Sequence, residues 1–211
     1  MKRVRKHWRL FGLLVVSCIA LAAFAGTTAS GAGTSNTITF NMVRSQAVVN
    51  ANCLANASAA VRIQSLGPVE VMTVVVRGLP ANTDFDFFVI QVPNGPFGLS
   101  WYQGDIETHA GGTGVGVFIG RFNIETFIVA PGSQPAPVVH NNAFPDASLN
   151  PVTAPVHTFH LGLWFNDPAD AAKAGCPSTV TPFNGEHNAG TQVLSTRNFA
   201  NDQGPLRQLT P

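Results

Sequence analysis

The chain has 211 residues, of which 12 are lysine or arginine and 11 are aspartate or glutamate, and only 11% of it is charged. So even a balance leaves no basic stripe for the phosphates of a nucleic acid, which excludes that class of partner. About 185 residues remain after an N-terminal leader, enough to bury the core of one domain.

That leader comes first in chain order. Lys2, Arg3, Arg5, Lys6 and Arg9 precede the apolar run Leu10 to Ala25, which ends in Ala23-Phe24-Ala25. A basic start, a short apolar core and an A-x-A end predict a signal peptide over residues 1–25, cleaved after Ala25. The apolar run is about 16 residues, short for a spanning helix, so the mature form has no membrane span. A retained N-terminal anchor is the alternative. Val15-Val16-Ser17-Cys18 loosely resembles a bacterial lipobox, but Ile19 to Ala25 stays apolar where a lipoprotein turns polar. Cleavage leaves seven basic residues against 11 acidic ones, a net charge of −4 with histidine neutral. Two cysteines also remain, Cys53 and Cys176. An even number in an exported chain predicts one disulfide between them.

Residues 26–36 are small and polar and read as a flexible leader. Thr37 to Val43 alternates as a first strand, and Val61 to Gln64 resumes one after a loop at Cys53 to Ser58. Val69 to Gly78 and Phe85 to Val92 are dense in β-branched and aromatic residues. Both faces of each are apolar in the middle, which predicts central strands covered on both sides. Between them lies the corner Gly78-Leu79-Pro80-Ala81-Asn82-Thr83, with Pro80 presetting φ. Trp101 to Thr108, Val115 to Phe122 and Ile124 to Val129 are further strands around the glycine-rich turn Gly111 to Gly116. Residues 130–156 carry six prolines and no ladder can run through them, so they form a long loop. His157 to Phe165 is a strand with Phe159, Leu161, Leu163 and Phe165 on one face and His160, Gly162 and Trp164 on the other. Asp167 as N-cap, Pro168 at the first position and Gly175 as stop predict a short helix at 168–174. Thr191 to Ser195 is a last strand. The whole predicts an all-β protein, an antiparallel β-sandwich of Ig/FnIII-like or jelly-roll-like type, with 37–211 as a single domain.

The G-L-P-x-N-T corner at 78–83, the Gly104-Asp105-x-x-Thr108 segment and the glycine-rich turn resemble secreted bacterial β-sandwich modules. They are similar to the CHRD domain and, more distantly, to the L-x-P-x-T-x-Y corner of fibronectin type III domains. The likeness covers residues 69–122 and implies a fold class. Phe85 stands where the fibronectin pattern has its corner tyrosine, and Phe87-Phe88-Val89 replaces the His-x-His that often follows the CHRD corner. No site is implied by it. The whole chain also resembles a family of secreted bacterial proteins, which implies no activity.

The chemistry-bearing residues are few. Asp105, Glu107 and His109 share one strand face, and carboxylates with imidazole are divalent-metal ligands. This is the one cofactor the chain suggests. Asp84 and Asp86 also share a face and would suit paired acid–base work. His157 and His160 fall on opposite faces, so one is expected in the core with its ring nitrogens satisfied. There is no G-x-S-x-G elbow, no Gly-Lys-Ser/Thr phosphate loop and no C-x-x-C pair. Trp101, Tyr102 and Trp164 could stack a ring-shaped ligand or be buried. The first expectation is a secreted, non-enzymatic protein that binds an extracellular ligand or surface component. Its contacts would fall in Pro93–Tyr102, with Trp101 and Tyr102, and in Ala130–Val156, with His140, Asn141 and Asn142. The rival expectations are a hydrolase using Asp84, Asp86, Asp105, Glu107, His109 or His187, and a structural envelope component.

Overall fold

The computed structural model describes residues 36–122, 126–127, 156–182 and 188–209. The expected signal, nearly all of the leader, the proline-rich loop as far as residue 155, and His140, Asn141, Asn142 and His187 lie outside the described residues.

The elements follow in the order β1 (Thr37–Arg44), α1 (Gln46–Asn50), β2 (Ser58–Ser65), β3 (Glu70–Arg77), β4 (Asp84–Ile90), β5 (Ser100–Glu107) and β6 (Gly114–Gly120). Then come β7 (Thr126–Phe127), β8 (Val156–His157), β9 (His160–Phe165), α2 (Pro168–Lys173), β10 (Thr181–Pro182), β11 (Asn188–Ala189) and β12 (Gln192–Ser195). A 3-10 turn at Pro205–Gln208 closes the series. The protein is all-β, and its eight main strands make one antiparallel sheet in the order β5-β4-β9-β12-β1-β2-β3-β6. Two short pairs, β7 with β8 and β10 with β11, stand beside it.

β1 joins the two halves. Its residues Thr37–Met42 pair with β2, and Val43 and Arg44 pair with β12. The outer strands β5 and β6 meet again at a single antiparallel bridge, Thr108 to Gly114, so the sheet is nearly barrel-like. Alternation fills the interior. Phe85, Phe87 and Val89 of β4, Leu161, Leu163 and Phe165 of β9, and Met72, Val74 and Val76 of β3 are fully buried. Phe87 stacks on Phe118 of β6 with ring centroids 5.0 Å apart, which packs one half against the other.

The expectation that both central strands are covered twice holds for β4 and not for β3. Val71, Thr73 and Val75 on the outer face of β3 are only half-buried. Opposite them on β6 stand Ile119, Val117 and Val115, which are 70%, 59% and 55% exposed. An apolar run on both faces reads as double coverage only if a second layer reaches it. The described residues place none there.

The corner at 78–83 is held by Thr108. Its hydroxyl donates to the Pro80 carbonyl at 2.6 Å and accepts from the Thr83 amide at 3.0 Å. The threonine of the G-D-x-x-T segment thus ties a corner that has no tyrosine to do so.

Among the described residues two α-helices are present where the sequence suggested one. α2 has its cap as read: the Asp167 carboxylate accepts from the Ala169 amide at 2.7 Å. α1 is capped by Ser45, whose hydroxyl accepts from Val48 and donates to the Gln192 carbonyl. Five residues containing Val48-Val49 show no helical period, so this helix is visible only in the fold. Both helices end alike. Asn52 (φ 54°) and Gly175 (φ 72°) turn left-handed. The next residue, Cys53 or Cys176, then donates its amide to a carbonyl five residues back, at 3.1 and 2.9 Å. The two cysteines are joined to each other, with Cα atoms 5.5 Å apart.

Candidate functional site

The outer face of β4 is divided along its length. Asp84 and Asp86 come first, then Phe88 and Ile90. β5 lies opposite with Asp84 facing Glu107, Asp86 facing Asp105 and Phe88 facing Tyr102. Strict alternation from Asp105 would put Tyr102 on the inner face. A bulge prevents this: Phe87 faces Gly104 and Phe88 faces Tyr102, so Gln103 is the extra residue. Gly104 takes φ 146°, a conformation that favours glycine, and a Cβ there would stand 3.1 Å from the Phe118 ring. The bulge therefore turns Tyr102 outward beside Phe88, with ring centroids 5.5 Å apart.

β9 supplies the floor. Trp164 lies across Gly162, where an added Cβ would sit 2.3 Å from Cζ3 of the indole. Only glycine leaves room for the ring to lie down on the sheet at this point. Phe88 meets Trp164 edge-on at 5.2 Å, and Phe97 does so at 4.9 Å with planes 85° apart. Phe97 comes from the loop after β4. That loop is folded back by Gln91 N–H to Leu99 O (2.8 Å) and Val92 N–H to Phe97 O (3.1 Å). The remaining wall is the segment after the disulfide, Val180, Thr181 and Pro182, with Thr181 facing Ala189 across the β10–β11 pair. Thr181 Oγ1 donates to the Gly190 carbonyl at 2.9 Å and Thr191 Oγ1 donates to the Pro177 carbonyl at 2.6 Å, which pins this segment to the residues just before β12.

These residues line an open cavity of about 700 Å³, and no Asp, Glu, Lys, Arg or His lines it among the described residues. Ligand cavities commonly fall between ~300 and ~1,000 Å³ and are apolar with a few placed polar groups. The phenol of Tyr102 donates to Asp105 Oδ1. Burial first, then that bond, push its pKa well above the usual tyrosine value, so it stays a neutral phenol. A hollow of about 460 Å³ lies beyond Phe97 and Thr181, which line both spaces, and it includes Gln46, Asn94, Thr191 and Gln192.

Other candidates fall elsewhere. Asp84, Asp86, Asp105 and Glu107 form an acidic ridge beside the cavity. The pKa of Asp84 is raised, by burial first and then by Asp105 and Glu107, with the Phe85 amide opposing. His109 lies past the end of β5, in the turn, with its amide on the Thr113 carbonyl at 2.9 Å. Among the described residues no group of three or more His, Cys, Asp or Glu side chains is arranged to hold a metal ion. Of the expected ligands, Asp105 and Glu107 stand on β5 and His109 in the turn after it. Trp101 faces Val89, is 52% exposed and does not line the cavity. Pro93–Tyr102 contributes Phe97 and Tyr102 to it. His157 is only half-buried and packs flat on Phe159. His160 is the core histidine, with both ring nitrogens hydrogen-bonded.

Sequence reading did not single out Phe88, Phe97 or Val180. The one local signal was Gly162-Leu163-Trp164, a glycine two residues before a tryptophan on the same face. No match to this chain was found among protein-family models, curated proteins or solved structures.

Proposed function

We propose that this chain is an exported, non-catalytic β-sandwich protein that binds a small uncharged ligand in the aromatic cavity on the outer face of β4, β5 and β9. The observation that carries this is the cavity itself: about 700 Å³, built on Phe88, Phe97, Tyr102 and Trp164, without an ionised side chain among its described lining. Export rests on the basic-then-apolar leader and is supported by a disulfide, a bond that persists in oxidising compartments. No helix among the described residues is long and apolar enough to cross a membrane. The sandwich reading rests on β1 serving both half-sheets and on Phe87 packing against Phe118 between them. A rigid sheet that carries its ligand contacts partly on loops is the usual way to build a binding site. The partner on this reading is an extracellular small molecule or surface group, and nucleic acid is not one.

N-phenyl-1-naphthylamine, an uncharged ring compound that brightens in apolar sites, tests the cavity. The purified protein should bind it saturably at one site. Val180→Glu places a carboxylate on an exposed wall residue, 52% accessible, and should weaken binding about tenfold without unfolding the protein. Ile119→Glu, on the far apolar strand, should leave it unchanged. Equal effects of the two substitutions, or no saturable binding, would sink the reading.

A further inference from the structure

We infer that the ligand of this cavity is a neutral saccharide of at least two rings, one seated in the aromatic cavity and the next over the hollow beyond Phe97. This rests on the cavity being a ligand site. Three observations select the class.

The first is the adjacency of two chemistries. Phe97 and Thr181 line both spaces, so the two adjoin across these side chains. The cavity offers aromatic rings, and the hollow offers amides and hydroxyls. A sugar ring has that same division. Its axial C–H groups pack on an aromatic face, and its hydroxyls at the rim seek amides and hydroxyls.

The second is a pair of unspent donors. Trp164 Nε1 and Gln192 Nε2 are buried, and neither finds a hydrogen-bond partner among the described residues. Their residues are 3% and 6% exposed. They face each other in the β9–β12 register, and Gln192 Nε2 and the edge of the indole both lie over Gly162. Trp164 lines the cavity and Gln192 lines the hollow. A buried donor without an acceptor is costly, and a ligand that supplies the acceptor recovers that cost. Saccharide hydroxyl and ring oxygens can do so. A purely apolar ring or alkyl chain cannot. The hydroxyls of Thr181 and Thr191 already donate to Gly190 and Pro177 carbonyls, which leaves their lone pairs to accept from sugar O–H groups.

The third is charge. No cation lines either space among the described residues. The ridge of Asp84, Asp86, Asp105 and Glu107 adjoins the cavity on the same face. Uronic acids and phosphorylated sugars would meet repulsion there and no counter-charge.

Calorimetric titration of the purified protein with cellotriose, mannotriose, xylotriose and chitotriose tests this, with trigalacturonate as the anionic counterpart. At least one neutral trisaccharide should bind saturably and displace N-phenyl-1-naphthylamine, and trigalacturonate should bind at least tenfold more weakly. Gln192→Leu removes one unspent donor at similar bulk. It should weaken the trisaccharide at least fivefold while the urea midpoint holds or rises, because the protein loses a donor it never satisfied. A purely structural role would lower the midpoint along with affinity, and that result overturns the assignment. Binding of the naphthylamine without any trisaccharide overturns the saccharide and leaves the cavity standing. Binding of neither overturns both.

Discussion

Replacing Cys53 and Cys176 together with serine is expected to lower the unfolding free energy by about 4–5 kcal/mol. The bond spans 123 residues of sequence, so in the unfolded chain it removes the freedom of a very long loop. Its ends are both helix stops. Cys53 closes α1 and Cys176 closes α2, each through an amide bonded five residues back. Helices of five and six residues do not hold themselves in water. The cross-link ties each to the other, and Ala171 and Val48, the buried residues of the two helices, belong to the same core. Urea unfolding of both forms checks this. The midpoint should fall and the slope should rise, because the unfolded chain without its cross-link exposes more surface. A loss below about 1 kcal/mol would mean that native strain cancels the entropic gain.

Mild acid should cost about 3 kcal/mol through one residue, His160. Its ring is buried on the outer face of β9. Nε2 donates to the Ala200 and Asn201 carbonyls at 3.1 Å each, which leaves Nδ1 to accept from the Thr196 hydroxyl at 2.9 Å. A second proton on Nδ1 would make the Thr196 hydroxyl turn and donate to the Leu161 carbonyl, 3.5 Å away. Burial is the main reason its pKa drops from 6.5 to about 4, with the carbonyls of Asn201 and Ala200 opposing. The folded pKa lies below the unfolded one, so the unfolded chain takes the proton first. The contribution is complete above about pH 6.5, declines as pH falls towards 4, and is gone below it. Between pH 7 and 5 the loss is about 2 kcal/mol. Asp84 titrates in the acid range as well, with its pKa raised, so the measurement must be a difference. His160→Gln should be less stable than the parent at neutral pH and should lose about 2 kcal/mol less on going from pH 7 to 5. Parallel pH profiles would refute the assignment. The C-terminal segment at Ala200 and Asn201 is what this histidine holds down, so its amides should gain exchange first as the ring protonates.

What the sequence by itself determined is what local chemistry decides. The period-two alternation of β4 and β9 places Phe85, Phe87, Leu161 and Leu163 inside and His160 and Trp164 outside, because consecutive side chains on a strand must point to opposite faces. Asp167, Pro168 and Gly175 fix the start and stop of α2 within a single turn of chain. Two of the three cysteines, Cys53 and Cys176, lie beyond the expected signal, which leaves one intramolecular pairing there. The cavity was legible only in part. Tyr102 and Trp164 stood out as aromatic, but alternation alone would have turned Tyr102 inward. The bulge at Gln103 that turns it outward depends on how β5 registers against β4, and register is a property of two strands. Phe97 reaches Trp164 across 67 positions because a loop folds back, and Gln192 reaches it because β12 pairs with β9. The strand order β4-β9-β12-β1 brings together segments from both ends of the chain. Residues so far apart in sequence leave no periodic or spacing signal, and their meeting is settled by which faces can be buried together once the sheet closes.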